Sequence, residues 1–92
     1  MARDENDQSW TPAAEDAATE SAILQLVLEL HPAQVTAADL LREIGGESPG
    51  FAQRDAVERA LRDLVAVGLL HRHDDFLQPT RAALRFDQLL SS

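Results

Sequence analysis

Residues 60–80 read ALRDLVAVGLLHRHDDFLQPT. Leu61, Leu64 and Val67 continue an apolar stripe at helical spacing that Val57 and Ala60 begin upstream. Gly68 follows where a left-handed residue closes a helix, a conformation that glycine takes without steric cost. The runs LLHRH and FLQ then flank Asp74 and Asp75. Both are too short for helices and suit a two-stranded hairpin with a tight turn. Pro79 closes the hairpin, and Thr80 is placed to cap a last helix, RAALRFDQLL. Ala82, Ala83, Phe86, Leu89 and Leu90 give that helix an apolar face.

Three further elements are expected upstream. AILQLVLELH is helical, with Ala22, Ile23, Leu26, Val27 and Leu30 at three- and four-residue steps and Gln25 and Glu29 outward. Its start is open between Thr11-Pro12, Thr19 and Ser21, and Pro32 ends it by excluding helical geometry from the residue before it. Val35 then precedes Thr36, which reads as an N-cap with Asp39 three residues on in a capping-box position. Leu40, Leu41 and Ile44 are the buried stripe of this second short helix, and Gly45-Gly46 stops it. The linker GGESPGF leaves the start of the third helix open between Ser48-Pro49 and Gln53.

Helices, hairpin and closing helix in this order resemble a winged helix-turn-helix domain. ALRDLVAVGLLHRHDDFLQPTRAAL is similar to the recognition helix, wing and following helix of MarR/PadR/ArsR-type bacterial regulators. Leu61, Leu64, Gly68, Leu69, Leu70, Phe76 and Thr80 stand at the matching places, and VTAADLLREIG resembles the short β residue and second helix. The resemblance covers roughly residues 21 to 90. It departs from the family in the length of the linker between helices 2 and 3 and in a surface that is not basic. The expected fold is therefore mainly α with a small β-hairpin: a three-helix core, a two-stranded wing and a C-terminal helix. Residues 1–20 are expected as an acidic, flexible arm, with helix 1 beginning as early as 12, and residues 21–92 as the domain.

Composition narrows the function. The chain has 92 residues, no cysteine, and arginine at all eight of its Lys/Arg positions. Neither a disulfide framework nor a thiolate metal site is expected. MARDENDQSWTPAAED is acidic and polar, unlike a secretory signal, and AILQLVLEL is too short for a membrane span, so a cytoplasmic protein is expected. The net charge of −8 is uneven: residues 1–20 set one arginine against six acids, residues 21–92 seven against ten. Such a balance opposes non-specific attraction to phosphate.

The resemblance implies double-stranded DNA as partner, with helix 3 in the major groove, and a homodimer through the first and last helices. Arg59 and Arg62 lie opposite the apolar stripe, and arginine is the side chain that forks onto guanine. Arg72 on the wing is expected to touch the backbone, with Arg54, Arg81, Arg85 and Thr36 as further positioning contacts. Yet Asp55–Arg59, Glu58–Arg62 and Arg59–Asp63 are all spaced as i,i+4 pairs, the pattern of a self-neutralised surface helix. That pattern, with the acidic arm and its Trp10, supports an alternative: a protein-interaction or dimerisation module that does not bind DNA. His71 and His73 share one strand face, but two histidines without a cysteine do not make an expected metal site. No catalytic motif and no cofactor site is recognised, so an enzyme is not expected.

Overall fold

The computed structural model describes residues 12–46 and 50–91. The chain runs through α1 (Pro12–Leu30), β1 (Val35–Thr36), α2 (Ala37–Gly45), α3 (Phe51–Ala66), β2 (Leu70–His73), β3 (Phe76–Pro79) and α4 (Arg81–Ser91). The protein is mainly helical, with a small three-stranded antiparallel sheet in the order β1-β3-β2. Among the described residues no helix is long and apolar enough to cross a membrane.

Helix α1 starts at Pro12, the earliest of the expected starts, so residues 12–20 of the expected arm are helical. Thr11, Trp10 and the rest of the arm lie outside the described residues, as do Ser48 and Pro49. The buried side of α1 is Ile23 and Val27, whereas Ala22 and Leu30 are exposed. At α2 the capping box forms as expected: Thr36 Oγ1 accepts from the Asp39 amide at 3.1 Å, and Asp39 Oδ2 accepts from the Thr36 amide at 3.1 Å. The hydrogen bond from the Thr36 amide is the main reason that the Asp39 pKa lies below its ordinary value, with the Thr36 side chain adding to it.

The expected two-stranded hairpin is joined by a third strand, at the short β residue that the resemblance implies before α2. Val35 pairs with Leu77 and Thr36 with Phe76 on one edge of β3, while His73 to Leu70 pair with Phe76 to Pro79 on the other. Asp74 makes the turn at φ 56, a left-handed conformation that aspartate tolerates. Inward-facing Leu70 and Leu77 join Val35, Ile23, Val27, Leu40, Val57, Ala60, Leu61 and Leu64 in one core.

The end of α3 corrects one expectation. Val67 belongs by spacing to the buried stripe, but it is 69% exposed. The helix stops at Ala66 and Val67 is its C-cap; Gly68, at φ 88, then donates to Val65 O at 3.1 Å and Leu69 to Leu64 O at 2.9 Å. Val67 still donates to Asp63 O at 3.0 Å, and this Schellman closure turns the chain just after it, so no further helical turn flanks its side chain. Thr80 locks the same corner: its hydroxyl donates to Gly68 O at 2.7 Å and accepts from the Ala83 amide at 3.1 Å. Along α4 only Ala83 is buried, and Phe86 and Leu90 are 60% and 70% exposed.

Candidate functional site

Helix α3 buries Val57, Ala60, Leu61 and Leu64. At 100° per residue two flanks border that inner face. Asp55, Arg59 and Asp63 run along one, toward α1. Phe51, Arg54, Glu58, Arg62 and Val65 run along the other, toward the hairpin.

On the α1 flank the charges consume one another. Arg59 Nη2 lies 3.2 Å from Asp16 Oδ1 of α1, and its Nη1 3.0 Å from Asp55 Oδ2. The hydrogen bond to Asp16 is the main reason that the Arg59 pKa rises above its ordinary value. Glu20, one turn along α1 from Asp16, faces Asp63. Its pKa is raised, first by burial, then by hydrogen bonding with and repulsion from Asp63, with Asp16 adding repulsion. Arg59 is thus enclosed by carboxylates from two helices.

The hairpin flank differs. Arg72 of β2 reaches across to Glu58 in a two-pronged contact, Nη1 to Oε1 at 3.1 Å and Nη2 to Oε2 at 3.4 Å. This replaces the Glu58–Arg62 pair expected from spacing. Arg54 and Arg62 are both exposed, and among the described residues neither has a carboxylate within 4.0 Å. Between α3 and β2, Leu61, Arg62, Val65, Ala66 and Arg72 line a shallow depression of about 360 Å³ with a largely apolar floor.

No family model, curated protein or solved structure matches the chain. The sequence-expected residues are therefore placed by geometry. Arg62 and Arg72 line one depression on the hairpin flank, Arg54 lies about two turns back along α3 on the same flank, and Arg59 sits apart, against α1. Thr36 is not part of this ridge: it is half-buried, pairs with Phe76 in the sheet and caps α2. His71 and His73 are exposed along β2 and, with Gln34, Phe76 and Gln78, border a separate depression of about 180 Å³. Among the described residues no three metal-ligating side chains converge.

One residue escaped the sequence reading. Phe51 opens α3 and is 88% exposed, an aromatic ring left in solvent at the end of the ridge. Its signal was present as spacing: positions 51, 54, 58, 62 and 65 advance by three, four, four and three, a single helical stripe. Two guanidinium forks without a carboxylate partner among the described residues, an aromatic ring and a hairpin tied alongside can address a polyanion by charge and a flat, edge-bearing surface by shape.

Proposed function

We propose that this chain is a winged helix-turn-helix domain that binds double-stranded DNA as a homodimer, in the manner of a small cytoplasmic bacterial transcription regulator. In this reading α3 enters the major groove and the β2–β3 wing lies along the backbone. The observation that carries it is the pair of arginines, Arg54 and Arg62, on the wing side of α3, neither of which has a carboxylate partner among the described residues. Arginine forks bidentately onto guanine O6 and N7, and equally onto phosphate. Arg59, which the sequence offers as an equal of Arg62, takes a lesser part because DNA would have to displace Asp16 and Asp55 from it. Arg72 keeps the wing at a fixed distance through Glu58 and meets the backbone with what remains of its five donors.

The dimer is supported by α1 and α4. Leu24 and Leu28 of the first helix and Phe86 and Leu90 of the last line a shared depression of about 310 Å³, open to solvent. A second copy covering this face would set two recognition helices about one DNA turn apart, and so would require palindromic half-sites.

The test is fluorescence anisotropy with a mixed pool of labelled duplexes at about 50 mM and about 200 mM salt. Binding is expected at the lower concentration, falling steeply at the higher. Arg54→Ala with Arg62→Ala is expected to weaken it about tenfold or more. No binding at the lower salt, or an unchanged affinity in the double variant, overturns the reading.

One observation favours a second reading, a protein-interaction module. Carboxylates of the same chain already hold Arg59 and Arg72, and the apolar floor formed by Leu61, Val65 and Ala66 suits a side chain better than a phosphate. A chain that ignores duplexes at low salt, yet loses a protein partner on Val65→Glu, would establish it.

A further inference from the structure

We propose that Phe51 and Arg54 form a base-reading pair that selects a T·A pair next to a G·C pair. This rests on the DNA-binding reading and names the chemistry that α3 recognises. Three observations lead to it. First, Phe51 is 88% exposed in the first turn of α3 and contributes nothing to the core. The amino-terminal residues of a helix lying in the major groove are the ones that reach base edges. The C5-methyl of thymine is the apolar feature displayed there, and phenylalanine is among the side chains that contact it.

Second, among the described residues no carboxylate pairs with Arg54. The two carboxylates within a turn of it are committed elsewhere: Asp55 to Arg59 at 3.0 Å, and Glu58 to Arg72 at 3.1 Å. Position 50, where an acid would pair best with Arg54, is glycine, and Glu58, the acid four residues on, is held by the hairpin. Third, the two side chains are correctly spaced. Residues three apart on an α-helix share a face and differ in height by about 4.5 Å, close to the roughly 3.4 Å step between base pairs. Phe51 on a thymine methyl therefore places the Arg54 fork at the edge of an adjacent pair, where guanine O6 and N7 accept both of its N–H groups.

The experiment selects duplexes from a randomised pool with the full-length chain, then edits single atoms of the selected site. Replacing the selected thymine by uracil removes only the methyl group. Replacing the selected guanine by 7-deazaguanine removes only the N7 acceptor. Adjacent T·A and G·C pairs are expected in the selected site. The uracil edit is expected to weaken wild-type binding about threefold or more, and the deaza edit about fivefold or more. Phe51→Ala should lose the first penalty and keep the second, and Arg54→Ala the reverse. Both positions are exposed, and circular dichroism verifies that the variants fold. A selected site without the adjacent pairs, or penalties that persist in the matching variants, overturns this inference while leaving DNA binding intact. A pool from which no duplex is selected overturns the DNA-binding reading itself.

Discussion

The two flanks of α3 carry opposite balances, two acids and one arginine toward α1 against two arginines and one acid toward the hairpin, and their neighbours widen the difference. Toward α1, Arg59 lies between Asp16 and Asp55, and Asp63 faces Glu20; the one arginine there is spent on carboxylates. Toward the hairpin, one arginine that is not on α3 at all, Arg72, takes Glu58 and thereby releases Arg62 and Arg54. A count of charges along the helix is blind to this. Which guanidinium is available depends on the element that packs alongside, and the hairpin brings a base where α1 brings an acid.

That contrast can be broken or sharpened. The largest effect is expected from Leu61→Ala. Leu61 is fully buried and also floors the depression beside Arg62, so the substitution should cost about 2–5 kcal/mol in urea denaturation. A cost well below that would mean the two flanks are not built on a common core. Next is the exchange of flanks. Arg62→Ala alone should reduce duplex affinity about fivefold or more and flatten its salt dependence, while Arg59→Ala should change affinity less than about threefold and chiefly lower Tm. Equal effects on binding would erase the distinction.

A smaller change targets the corner that positions the hairpin. Thr80→Val keeps the shape but removes the hydroxyl that joins Gly68 O to the Ala83 amide, and is expected to cost about 1–2 kcal/mol by thermal unfolding. Valine equal to threonine would show that the corner is held by packing alone.

The smallest effect is a matter of sign. The Glu20 pKa is raised in the folded protein, so its contribution to stability is fully present below its unfolded value, ordinarily 4.5, and is lost as pH rises through the folded value. At pH 7 the charged group opposes the seating of α1 on α3. Glu20→Gln should therefore raise Tm by roughly 1–2 °C at about pH 7 and leave it unchanged near about pH 4. A fall in Tm at neutral pH would mean that Glu20 is held by a favourable contact. Asp39 has the opposite sign: its lowered pKa gives a contribution present above its ordinary 3.8 and lost as pH falls through the folded value.

Much of the fold was legible because its signals are local. Thr36 with Asp39, Gly68, the Asp74 turn and the Thr80 cap each announce themselves within four residues, and each stands where the spacing put it. The third strand was signalled only by the resemblance of VTAADLLREIG, because two residues carry no alternation, and its pairing of Val35 with Leu77 was not legible. Val67 was misread because periodicity gives its direction but not whether any neighbour packs beyond the helix end to cover it. Arg59 and Arg62 looked alike for a related reason. Helical spacing gives an angle around an axis, but the neighbour at that angle comes from Asp16, some forty residues earlier. Phe51 followed a linker whose boundary the sequence left open, and so was assigned to no face.

The pairing of β1 with β3 bears on how the domain opens. Strand β3 is hydrogen-bonded along both edges, to its hairpin partner and to residues about forty positions earlier. The hairpin tip at Asp74 and Asp75 can fray alone, but Phe76 and Leu77 cannot leave without also releasing the segment between α1 and α2. Amide hydrogen exchange should then separate within a few residues: rapid at the tip, and in β3 as slow as unfolding of the whole molecule. A clasp of two residues makes the hairpin's base part of the cooperative unit and leaves only its point free to move.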